Sequence, residues 1–126
     1  MAQVSNEPVL EPPPDGTEVH RSHQRGSWPG LSPTRLTIVY AVPQSAEEIS
    51  IWYGSNFKSI YEFTPEPSEG EARDSLRGDN PETGNRILIF FFDEEGDYGR
   101  RELPAEALDK APPGTGSFVE VSSARG

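Results

Sequence analysis

Arg35-Leu-Thr-Ile-Val-Tyr-Ala-Val42, then Pro43-Gln-Ser-Ala-Glu-Glu48, then Ile49-Ser-Ile-Trp-Tyr-Gly-Ser-Asn-Phe57 is the stretch whose reading decides the fold. In its first part Leu36, Ile38, Tyr40 and Val42 alternate with Thr37, Val39 and Ala41. A period of two with β-branched content is the signature of a strand. Pro43 ends it by withholding a backbone donor. Ser45 and Glu48 stand at capping-box spacing and suit a single helical turn. Ile49, Ile51 and Tyr53 then alternate again, which predicts a second strand over 49–53. A connection this short makes an antiparallel hairpin the simplest arrangement of the two.

Working outward, Ile87-Leu-Ile-Phe-Phe-Phe92 is an unbroken apolar run and predicts a central core strand. Asp93-Glu94-Glu95-Gly96 reads as a turn, and Tyr98–Leu103 as a further hairpin arm. Pro104–Lys110 suits a short helix, because proline is tolerated at a first helical position. Ser117–Val121 reads as a last edge strand. Phe57, Ile60, Tyr61 and Phe63 fit either a short helix or an irregular extension. Residues 64–85 are dominated by Glu, Pro, Ser, Gly, Asp and Asn and read as an acidic linker. Residues 1–34 carry Pro12-Pro13-Pro14 and several glycines, and read as a disordered arm for which Trp28 offers one docking point. Residues 122–126 read as a tail. The expected fold is therefore β-rich or α+β: a small antiparallel sheet over 35–121 with one or two short helices and long disordered loops.

Composition narrows the function. The 126 residues hold 13 prolines and 12 glycines, 33% are apolar and 25% charged, which allows one small domain. Net charge is −10, and between Glu62 and Glu102 there are 12 acids against 5 bases. A basic nucleic-acid-binding face is thereby excluded, whereas a basic protein segment such as a histone tail is an electrostatically suitable partner. The lack of cysteine excludes disulfides, thiolate metal sites and cysteine nucleophiles, and fits an intracellular, nuclear or cytoplasmic location. No apolar run reaches membrane-spanning length, so no membrane partner is expected, and residues 1–15 lack the basic start and apolar stretch of a secretory signal.

The strand, the Glu47-Glu48 turn and the Trp52-Tyr53-Gly54 triplet together resemble the C-terminal active-site segment of SET-domain lysine methyltransferases. In that family a strand and a Gly-Glu-Glu turn lead into a strand ending in aromatic-Tyr-Gly. The resemblance implies that the Tyr53 hydroxyl sits beside the target amine and the methyl of S-adenosylmethionine, where alignment of nitrogen, methyl and sulfur supplies much of the rate. Trp52 would pack in the core or wall the lysine channel, Tyr40 would contribute to substrate or cofactor binding, and Gly54 would let the backbone turn sharply next to the pocket. The chain departs from the family pattern. His20-Arg21-Ser22-His23 stands where the family has an Asn-His-Ser-Cys-like segment, and Ala46 stands where it has glycine. The expectation is a truncated or degenerate SET-like protein, incomplete and inactive alone, with no cofactor held by the isolated chain. The alternative is a non-enzymatic acidic β-rich interaction module.

Other groups are weaker candidates. His20 and His23 supply two ligands, too few for a structural zinc site. The acids around Gly96 lack the alternating spacing of a calcium loop. Glu47 and Glu48 are sequence neighbours and point apart, so they do not form a catalytic carboxylate pair.

Overall fold

The computed structural model describes residues 7–24, 34–98 and 101–125. Its centre is an antiparallel sheet built from β1 (Thr17–Gln24), β2 (Arg35–Val42), β3 (Glu62–Phe63), β4 (Ser75–Asp79), β5 (Arg86–Phe92) and β8 (Ser117–Ala124). The six strands lie in the order β1-β2-β8-β5-β4-β3. Between β5 and β8 the chain makes a two-stranded ribbon of β6 (Asp97–Tyr98) and β7 (Arg101–Glu102), then the short helix α2 (Ala105–Asp109). The longer helix α1 (Ala46–Phe57) follows β2. The fold is thus β-rich with two helices, as the composition and patterning predict.

Two faces of the sheet are covered, and this explains the unbroken apolar run of β5. Register puts Ile38, Val121, Ile89 and Leu76 in one row across four strands. That row joins Leu36, Tyr40, Ile87, Phe91 and Val119 in a core completed by Ile49 and Tyr53 of α1 and by Val9 and Leu10 of the N-terminal segment. On the other face Ala41, Phe118 and Phe92 form a row. It packs with Val19, Val39, Leu103 and Ala107, the last from α2. A strand buried on both sides needs apolar residues at every position, not every second one. The predicted core strand Ile87–Phe92 is observed as β5, and the predicted helix over 104–110 as α2 with Pro104 as its N-cap residue.

Three expectations are corrected. First, Ile49–Tyr53 is helix, so β2 pairs with β1 and β8 and not with that segment. The capping box is present in full: the Ser45 hydroxyl accepts from the Glu48 backbone N–H, and the Glu48 carboxylate faces the Ser45 N–H. It opens three turns of helix rather than one. Ile49 and Tyr53 are four apart, so both face the sheet from one side of a helix; the same two residues also satisfy a period of two. Second, Ser117–Val121 belongs to a strand lying between β2 and β5, not at an edge, and that strand continues through Ala124, inside the expected tail. Third, the expected disordered arm and linker contribute strands: Thr17–Gln24 forms β1, and Ser75–Asp79 forms β4. The docking point expected at Trp28 lies outside the described residues.

The segment between β3 and β4 packs on α1 through small residues. Ser50 and Gly54 are both buried, one turn apart. The Ser50 hydroxyl accepts from the Arg73 backbone N–H at 3.1 Å. Pro67 lies over Gly54, where an added Cβ would meet Pro67 Cγ at 3.4 Å, an ordinary van der Waals contact.

Candidate functional site

Of the residues that carry the SET resemblance, Tyr40, Tyr53 and Gly54 are buried in the sheet and helix, whereas Glu47 and Glu48 are exposed in the first turn of α1. Tyr53 is 0% exposed. Its ring stacks on Phe57 with centroids 5.7 Å apart, meets Trp52 edge-on at 4.9 Å and lies 5.8 Å from Phe91 of β5. Trp52 is half-buried against the same core. Gly54 faces Pro67 rather than opening a turn beside a pocket. Tyr40 is buried on β2, its hydroxyl donating to the Leu10 carbonyl. Burial, and secondarily the charge of Glu18, pushes the Tyr40 phenol up to about 12. The strand-end position that the resemblance implies for Tyr53 is therefore replaced by a mid-helix one.

The Tyr53 hydroxyl is buried without a hydrogen-bond partner among the described residues. Burial pushes its ionisation far above the usual phenol range, with the neighbouring Tyr40 adding to the effect. A buried polar group without a partner is a net loss to the fold, typically about 1–3 kcal/mol. Tyr53→Phe is accordingly expected to leave the thermal transition unchanged or raise it, by up to about 2 kcal/mol in equilibrium unfolding. A loss of more than about 1 kcal/mol in urea denaturation would show that the hydroxyl has a polar partner in solution.

The polar group that the fold does organise is elsewhere and joins segments far apart in sequence. Glu7 is only 2% exposed. Its Oε1 accepts from Asn80 Nδ2 at 2.9 Å and from the Tyr61 hydroxyl at 3.0 Å. Its Oε2 accepts from Asn85 Nδ2 at 2.7 Å and from the Thr83 hydroxyl at 2.8 Å. Each carboxylate oxygen thus has two donors, which matches its two lone pairs. Tyr61 also accepts from the Val9 backbone N–H at 3.2 Å, so one phenol ties both side chain and backbone of the N-terminal segment. Burial alone pushes the Glu7 carboxyl up, but the hydrogen bonds from Asn80, Asn85, Thr83 and Tyr61 together outweigh it and hold the carboxyl below the usual glutamate range.

Sequence reasoning missed every member of this cluster except Tyr61, which it placed only as an apolar position. Glu7 fell in the arm and Asn80, Thr83 and Asn85 in the linker. A signal for the hairpin was present: Asn80-Pro-Glu-Thr-Gly-Asn85 is rich in turn formers and stands between Leu76 and the apolar run. Nothing local marks Glu7.

The histidines sit on β1, and His20 Nδ1 lies 2.8 Å from Glu106 Oε1, tying α2 to the sheet. No group of three His, Cys, Asp or Glu side chains among the described residues is placed to hold a metal ion. No helix among them is long and apolar enough to cross a membrane. The Asp93 carboxylate caps the backbone N–H groups of Glu95 and Asp97 at 2.9 and 3.0 Å, which makes the acidic turn a structured one. Gly96 there is buried at φ +81°, where a side chain is strained, and a Cβ would run into Leu108 of α2. The turn and α2 are consequently packed together at one end of the sheet. Comparison with protein-family models, with curated proteins and with solved structures finds no match for this chain.

Proposed function

We propose that the chain is a non-enzymatic interaction module that engages a basic protein segment through the end of the sheet formed by the β5–β6 turn and α2. The observation that carries this reading is the gathering of carboxylates there. From Asp93 to Lys110 the sequence has seven acids and three bases. Asp93, Glu94, Glu95, Asp97, Glu102, Glu106 and Asp109 are exposed. The turn is held against α2 through Gly96, so these charges form one surface with a defined shape. A concentrated negative field raises the local concentration of a cationic segment and its rate of encounter. The sealed position of the Tyr53 hydroxyl supports a binding role over methyl transfer, since a phenol that orients an amine must reach it.

The test is isothermal titration of the full chain with a lysine-rich peptide of histone-tail type at several salt concentrations. Binding is expected at low ionic strength and should weaken steeply as salt is added. Glu94→Lys combined with Glu95→Lys should weaken it by roughly tenfold. Absence of binding at low salt, or an affinity indifferent both to salt and to the double reversal, overturns the proposal. The same peptide incubated with methyl-labelled S-adenosylmethionine should remain unlabelled. Transfer that disappears in Tyr53→Phe would favour the SET-like enzyme reading instead.

A further inference from the structure

The Glu7 cluster has the construction of a receptor and its ligand rather than of a polar network within one element. The receptor half is organised by bonds that do not involve Glu7. In the β4–β5 turn the Asn80 N–H donates to the Asn85 carbonyl at 2.9 Å, and the Gly84 N–H donates to the Asn80 carbonyl at 2.7 Å. Asn80 Oδ1 accepts from the Glu82 N–H at 2.9 Å, which leaves Asn80 Nδ2 directed at the carboxylate. Thr83 Oγ1 accepts from the Asn85 N–H at 3.2 Å, which leaves the Thr83 proton for Glu7. With the N-terminal segment in place the two asparagines are nearly fully buried. The ligand half arrives from 52 to 78 residues away along the chain.

We propose that Tyr61, Asn80, Thr83 and Asn85 form a carboxylate-binding site in its own right, kept filled by the chain's own Glu7 and open to an external monocarboxylate when that side chain is withdrawn. The chemistry selects its ligand class. Four neutral donors, two to each oxygen, match a planar singly charged group. All four direct contacts on the carboxylate come from uncharged groups, so a tetrahedral dianion would be buried without a counter-charge, which is costly. A primary amide of the same shape would set its own N–H donors against donors. The site therefore takes a carboxylate on a short aliphatic stem, the chemistry of a glutamate side chain. This inference is independent of the basic-partner reading, because it concerns the opposite charge and a different part of the fold.

Chemical rescue tests it. Glu7→Gly removes the two methylenes and the carboxylate, the same atoms that propionate supplies. The full-length variant is followed by thermal unfolding while propionate replaces chloride at constant ionic strength. The expected result is a saturable rise that recovers at least about half of the lost transition temperature, as linkage to a site present only in the folded state requires. Propionamide and inorganic phosphate should not reproduce it, and the wild-type chain should show no such rise. Adding Thr83→Val to Glu7→Gly should raise the half-saturating propionate concentration by roughly tenfold, the loss of one donor. If Glu7→Gly has no transition in chloride, refolding from urea in propionate should restore one. A chain that stays unfolded in propionate, or a response equal to that in chloride or propionamide, overturns the proposal.

Discussion

Ile89→Asp is expected to abolish cooperative unfolding of the protein. Ile89 is 0% exposed, and it sits between Val121 of β8 and Leu76 of β4 in the row that faces α1. The substitution removes a buried aliphatic side chain whose burial is worth roughly 1.5–3 kcal/mol. It also places a carboxylate between Val121 and Leu76, whose side chains carry no hydrogen-bond donor. An unpaired buried charge costs several kcal/mol more or is neutralised at similar expense. The sum reaches the total stability of a typical small domain, about 5–15 kcal/mol. Circular dichroism with a thermal ramp is the measurement: the variant should show no cooperative transition, or should precipitate through its exposed apolar strand. Glu94→Ala, in the exposed turn that follows, serves as the control and should shift stability by less than about 0.5 kcal/mol. A normal transition in Ile89→Asp would mean that the sheet is not organised around β5.

Glu7→Ala should be the most damaging single change outside the sheet, at about 3–5 kcal/mol in urea denaturation, because it strands several buried donors at once. Asn80, Asn85, Thr83 and Tyr61 would all lose their acceptor. The same contacts hold the segment that inserts Val9 and Leu10 into the core, so the loss extends to that packing. Glu7→Gln keeps the shape but sets an amide against amide donors, and should recover less than half of the loss. The pH dependence has a definite sign. The folded Glu7 carboxyl ionises below the usual glutamate range. Its contribution is therefore complete above the unfolded glutamate pKa and is lost as pH falls through the lower, folded value. Glu7→Gln should flatten that part of the acid limb. An acid limb identical in wild type and Glu7→Gln would show that the carboxylate is not hydrogen-bonded in solution.

The sequence by itself determined what local pattern and composition determine. The alternation of Arg35–Val42, the unbroken run Ile87–Phe92, the turn at Asp93–Gly96 and the helix before Lys110 are all legible, because each is set by side-chain periodicity or turn chemistry within a few residues. The capping box at Ser45 and Glu48 was legible too. The length of the helix it opens was not, because Ile49 and Tyr53 lie four residues apart, a spacing that fits one helix face and one strand face equally well. That ambiguity is settled only by contact with Phe91 and the rest of the core. The placing of β8 between β2 and β5 was likewise decided by the tertiary structure, through pairings of residues up to about 90 positions apart that no local pattern encodes. The Glu7 site shows the same limit most clearly. A glutamate in a proline-rich arm and two asparagines in a polar turn are each ordinary surface residues in sequence. They meet only because the N-terminal segment is brought over the β4–β5 turn, where a buried carboxylate must find a donor for every lone pair and a buried amide must find an acceptor.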